Sequence, residues 1–302
     1  MVCPREFTIM YLCCSTLVCD RETVSGLPEI LKKIRELGFR SIDLAAIEGW
    51  RNVNPSFLVR DGGKWAGEFS MLAATLGLTT SSINCGFSAP LNNPDAASFR
   101  LCRREFLAVL GLAKALRCPN LTVQPGNPLS GHTPAALFDA LRDHLLELSA
   151  LAPGVTIGVE AHQGSFLENP AAALRLARAV WPHAGITYDP SHFVMQDIPF
   201  AVTKPLLDFA VHVHVRDAAL GQMQAAMGKG DVDIAGLVSA LKIRGYRGAV
   251  SIEYFSGFDM DLQSTCALRD LLLGLGIEIA SPPTDSAAEF TEHNVTNEIQ
   301  GL

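Results

Sequence analysis

Four short apolar runs in the second half of the chain each end in polar residues, and no other feature constrains the fold as tightly. The runs are TIGVEAH at 156–162, GITYDPSH at 185–192, VHVHVRDA at 211–218 and AVSIEYF at 249–255. Successive residues of a strand point to opposite faces. By that alternation Gly158 shares a face with Glu160, Thr187 with Asp189, His212 with His214, and Ser251 with Glu253. The opposite faces are apolar: Ile157 and Val159, Ile186 and Tyr188, Val213 and Val215, Val250 and Ile252. Each run therefore has one greasy side and one side that finishes, near its C-terminal end, in a metal-ligating type of residue. In a closed parallel barrel those ends converge on one mouth, where the active site is built. Glu160, Asp189, His214 and Glu253 are expected to surround one point.

The rest of the chain supplies the remaining units. Alternating apolar segments place strands at 8–14, 41–45, 80–85 and 121–124. Helices are expected at 28–37 and 65–76, ending at Gly38 and Gly77. Asn93-Pro94, Thr133-Pro134 and Asn169-Pro170 each read as an N-cap followed by proline at the first helical position. A short helical stretch is expected near 199–208, a helix capped by Asp233, and a last helix over 263–274. A long loop over 46–64 carries Trp50, Arg51, Asn52, Arg60 and Lys64; long loops at that end of a strand commonly cover the mouth and touch substrate. Eight strands alternating with about eight helices give an α/β fold, a single-domain (β/α)8 TIM barrel over 1–280. The segment 281–302 is polar and acidic and reads as a mobile tail. The apolar run 7–19 is read as the first strand. As an export signal it would lack a clear basic start and a small-x-small cleavage site.

With 302 residues and 48% hydrophobic content, the chain can bury one large core. A formal charge of −7 with scattered basic residues argues against nucleic acid as a partner. The eight cysteines show no C-x-x-C spacing and read as reduced thiols of a cytoplasmic protein. No apolar run is long enough to span a membrane. Dinucleotide, phosphate-loop, zincin and serine-hydrolase motifs are absent; Gly228-Lys229-Gly230 is only a fragment of a glycine-rich loop. Such barrels often pair through exposed helices, so a homo-oligomer fits, although no residue marks an interface.

Three carboxylates aimed into one cavity repel one another unless a cation sits among them. Oxygen-rich ligation with one imidazole suits one divalent ion, Mn2+ first, with Mg2+ or Co2+ as alternatives. Singly, each residue has a plain structural reading: an ion pair for Glu160 or Glu253, a turn for Asp189 before Pro190, a core histidine for His214. Their matching parity on four strands favours the metal set. His212 lies one layer deeper and reads as packing behind it. His192 either holds a substrate oxygen or caps a loop, and His162 has a weaker claim to the same role. Arg216 either contacts substrate or pairs with its neighbour Asp217.

These residues carry a resemblance. G-V-E-x-H at 158–162, Y-D-P-S-H-F at 188–193, H-V-H-V-R-D at 212–217 and G-K-G-D-V-D with G-Y-x-G and S-I-E over 228–253 resemble the xylose-isomerase-like TIM-barrel superfamily, in particular its sugar phosphate isomerase/epimerase branch. The resemblance implies that Glu160, Asp189, His214 and Glu253 hold one divalent metal, that both glutamates move protons on opposite faces of a sugar, and that His192 contacts it. The implied activity is isomerisation or epimerisation of a keto-sugar or related polyol. The same enolate chemistry would serve a lyase, a keto-inositol dehydratase or an enzyme cleaving a 3-keto-glycoside. A barrel that binds sugar without turnover is the non-enzymatic alternative. The superfamily's zinc endonucleases need further His and Asp ligands. Here Gln222-Met223-Gln224 and, near the ends of strands three and four, Asn84, Cys85 and Gln124 stand instead. No phosphate anchor is legible.

Overall fold

A computed structural model describes residues 9–19, 26–49, 53–255 and 257–282. The strands are Tyr11–Ser15 (β1), Ser41–Ile47 (β2), Thr79–Gly86 (β3), Asn120–Val123 (β4), Thr156–Glu160 (β5), Gly185–Tyr188 (β6), Ala210–Val215 (β7) and Ala249–Ile252 (β8). All run parallel and pair in sequence order, and β8 closes the ring against β1. The (β/α)8 barrel expected from the alternation is the fold.

The outer wall is formed by Leu27–Glu36 (α1), Pro55–Thr75 (α2), Ala96–Ala115 (α3), Pro134–Leu151 (α4) and Pro170–Val180 (α5). Short helices Ser191–Val194 (α6) and Phe200–Thr203 (α7) and a 3-10 turn over Lys204–Phe209 stand between β6 and β7. Ile234–Ile243 (α8) and Gln263–Gly274 (α9) complete the wall. Thr133, Asn169 and Asp233 cap α4, α5 and α8 through their side chains, as their positions dictate.

The main apolar core lies between the helices and the outward strand faces, with Ile157, Val159, Val213, Val215, Val250 and Ile252 among its members. Apart from a small cluster of Tyr11, Cys13 and Ala249, the inward faces are mostly polar, which leaves their groups to satisfy one another. Asn120 Nδ2 donates to Ser82 Oγ at 2.9 Å, and the hydroxyls of Thr122 and Thr187 meet at 2.9 Å. Glycine at 158 permits that last contact: a Cβ there would lie 2.4 Å from Thr187 Oγ1.

Three expectations change. The segment 55–64 is not loop; it is the first half of α2, so Arg60 and Lys64 are helical. Asn54-Pro55 starts this helix as Thr133-Pro134 starts α4, but Gly62-Gly63 weakens the helical signal between. The cap of α3 is Asp95, which accepts from Ser98 N at 2.7 Å; Asn93 makes the turn before it, accepting from Asp95 N at 3.0 Å. The first strand begins at Tyr11, after residues 9 and 10, and residue 8 lies outside the described residues. Trp50, Arg51, Asn52 and residues 283–302 of the expected tail lie outside the described residues. Seven cysteines are described, six of them buried, and no disulfide joins any two of them. Among the described residues no helix is long and apolar enough to cross a membrane.

Candidate metal centre

The four expected ligands come together at the C-terminal ends of β5 to β8. One donor atom from each of Glu160, Asp189, His214 and Glu253 lies within 4.8 Å of every other, and all four residues are buried. His214 Nδ1 stands 2.7 Å from Glu160 Oε1 and 3.3 Å from Glu253 Oε2. Asn84, at the end of β3, donates from Nδ2 to Glu253 Oε1 at 3.1 Å. Asp189 Oδ1 accepts from Ser191 N at 2.8 Å, which leaves Oδ2 without a hydrogen bond.

Arg216 is fully buried and does not pair with Asp217. Its guanidinium reaches into the site: Nη1 donates to Glu253 Oε2 at 2.8 Å and to the Glu253 carbonyl at 2.7 Å. Nη2 lies 2.9 Å from Asp189 Oδ2 as an ion pair without hydrogen-bond geometry. The ring of Phe255 covers the guanidinium, 4.7 Å from Cζ. The cation that three clustered carboxylates demand is thus partly supplied by the chain itself. The neighbour Asp217 turns away because strand alternation sends it outward. Its carboxylate accepts from Gly228 N and Gly230 N at 2.9 Å each and from Ala218 N at 3.0 Å. A Cβ at residue 230 would sit 2.2 Å from Asp217 Oδ1, so the G-x-G fragment is the close wrapping of a loop around this carboxylate.

His192 is buried, with Nε2 accepting from Arg216 Nη2 at 3.3 Å. An accepting Nε2 puts the ring proton on Nδ1, and Nδ1 has no partner. Burial pushes this imidazole down to about 4, so it is neutral at ordinary pH. The ring of His162 lies 5.8 Å from that of His192, and its Nδ1 donates to the carbonyl of Gln163 at 3.0 Å. His212 lies deeper, where expected, and meets Asp43, a residue the sequence did not single out. His212 Nε2 and His214 Nε2 reach Asp43 Oδ2 at 2.8 and 2.9 Å. Asp43 is in the middle of β2, away from the strand end where ligands were sought, and only closure of the ring brings it to β7.

The carboxyls are held differently. Burial pushes Glu253 up to about 7, although the charges of His214 and Arg216 pull it down. Burial also works against Glu160, but His214, by charge and hydrogen bond, outweighs it and holds Glu160 at about 2. Burial disfavours the charge of Asp189, and Arg216, joined by His192 and His214, more than offsets this. Burial likewise lowers His214, but the surrounding carboxylates raise it well above the usual imidazole range. Convergence of three carboxylates with one imidazole nitrogen, one carboxylate oxygen still unbonded, fits a divalent cation.

The family description "Xylose isomerase-like TIM barrel" matches residues 31–270. The chain belongs to that family. No curated protein sequence matches it. Among solved structures, this family member is similar to D-psicose 3-epimerase from Clostridium cellulolyticum H10 with D-tagatose, at TM-score 0.72 and 15% identity over 88% of this chain and 99% of that one. It is similar to 3-keto-D-glucoside 4-epimerase from E. coli, at 0.65 and 16% over 88% and 98%. It is also similar to the IOLI protein with a bound zinc atom, at 0.69 and 20% over 88% and 98%. At these identities the likeness is one of fold. A cavity of about 560 Å³ lies at the end of β2 and beside α2, lined in part by Glu48, Phe57, Arg60 and Trp65. Three of these, Glu48, Phe57 and Arg60, belong to the stretch 46–64 that the sequence marked as covering the mouth.

Proposed function

We propose that the protein is a divalent-metal-dependent isomerase or epimerase acting on a keto-sugar or related polyol. The observation that carries this reading is the meeting of Glu160, Asp189, His214 and Glu253 within 4.8 Å, with both glutamates facing one nitrogen. An ion held there, Mn2+ before Mg2+ or Co2+ by its donor set, supplies Lewis-acid polarisation of a carbonyl and offsets the negative charge that develops as the neighbouring proton leaves. One of Glu160 and Glu253 takes the α-proton and the other returns a proton. His192, whose Nε2 lies 3.7 Å from Asp189 Oδ2, donates to a substrate oxygen from its unpartnered Nδ1–H. Arg216 steadies His192 and Glu253 in those positions, and His162 lines the approach. Two structures of similar fold are a psicose epimerase with D-tagatose and an epimerase of a 3-keto-glucoside, which favours a small carbohydrate ketone as substrate.

The test is proton NMR in D2O with ketoses, keto-inositols and 3-keto-glycosides, using Mn2+-loaded and metal-stripped protein. Deuterium entering a carbon beside the carbonyl, with metal only, and an epimer or isomer as product is the expected result. An elimination product would replace this reading with a lyase. Sugar binding without exchange would replace it with a carbohydrate-binding barrel.

A further inference from the structure

We propose that Asp43, backed by His212, is the positioning residue that fixes His214 as an Nδ1 ligand and biases the centre toward ions that bind imidazole well. The inference rests on the metal-dependent reading above. Asp43 is fully buried on β2, across the barrel from β7. Its Oδ2 faces the Nε2 atoms of His212 and His214 at 2.8 and 2.9 Å. A carboxylate oxygen only accepts, so both Nε2 atoms carry protons. A neutral His214 with its proton on Nε2 has its lone pair on Nδ1, the nitrogen that faces Glu160 and Glu253. Turning the ring over would set a carbon against Asp43 and cost this buried carboxylate one of its two hydrogen bonds.

His212 has a part in the same device. The two imidazoles stand at 90° with centroids 5.0 Å apart, which lets residues two apart on one strand converge on one oxygen. Asp43 Oδ1 has no hydrogen-bond partner, so no other hydrogen bond of that carboxylate competes with the two imidazoles for its orientation. A carboxylate behind a ligating histidine fixes its tautomer and raises its basicity. Stronger imidazole donation favours Co2+ and Mn2+ over Mg2+, whose preference is for oxygen.

The test titrates metal-stripped, full-length protein with Co2+, Mn2+ and Mg2+ by calorimetry and records the visible spectrum of bound Co2+. D43N keeps the volume and removes the charge. It is expected to weaken Co2+ and Mn2+ by about 10- to 100-fold, to change Mg2+ affinity less, and to shift the Co2+ bands. H212Q is expected to change affinity and spectrum in the same direction by a smaller factor. Circular dichroism follows the fold; if D43N does not fold, H212Q decides. Folded variants with wild-type Co2+ affinity and spectrum, or an equal loss for all three ions, would overturn the inference while the metal-dependent reading stands. A wild-type protein that takes up none of the ions would overturn both.

Discussion

Glu160 and Glu253 approach the same nitrogen of His214 but sit in different electrostatic settings, and each has its own consequence when altered. If both move protons, E160Q and E253Q should each lower the rate of deuterium exchange by about 10²- to 10⁴-fold, with circular dichroism unchanged. The pH dependence of metal uptake has a definite sign. Glu253 must be ionised to act as a ligand and burial holds it up to about 7; His214 must lose its Nδ1 proton and is raised as well. Ion binding therefore releases protons, and affinity should rise as pH increases through 7 and fall below it. Calorimetry at pH 6 and 8, in buffers of different ionisation enthalpy, reads both the affinity and the protons; an affinity independent of pH would contradict the arrangement. The candidate ligands were legible because each ends a strand with the right parity. Asp43 and the reach of Arg216 were not: the first depends on a contact across the ring and the second on contacts with the ends of the neighbouring strands β6 and β8, which no local pattern encodes.

At the scale of elements, β5 shows how a strand is shaped for the site it carries. Gly158 sits two residues before Glu160 on the inward face, and its missing Cβ is the space through which Thr122 and Thr187 join. G158A should overpack this layer and cost about 1–3 kcal/mol, read as a lower midpoint in urea with the slope unchanged. An unchanged midpoint would mean that Thr187 and Val211, whose Cγ2 would lie 2.9 Å from the added Cβ, yield easily. The starts of α4 and α5 were readable from a capping residue followed by proline, and that of α8 from Asp233 alone. The start of α2 was hidden because Gly62-Gly63 reads as a break, whereas packing on the barrel overrides that weak local preference.

An ion held at this centre would couple to the whole fold, because the four candidate ligands arrive from four separate strands. An ion that binds only the assembled barrel adds stability by mass action, about 2.7 kcal/mol at a hundredfold excess over Kd. Thermal unfolding with Mn2+ and then with EDTA should show that difference, and E253Q should show much less of it. A midpoint indifferent to EDTA would separate the cluster from metal binding. The barrel itself was legible from the alternation of strands and helices, since that alternation forces parallel pairing. The loop after β7 carries one more consequence. The amides of Gly228 and Gly230, at the mouth of the barrel, already close around the carboxylate of Asp217. The chain has put an anion of its own where such a glycine pair could have cradled a phosphoryl group. At this corner the two amides are already spoken for, and an anionic ligand would have to displace Asp217 to reach them.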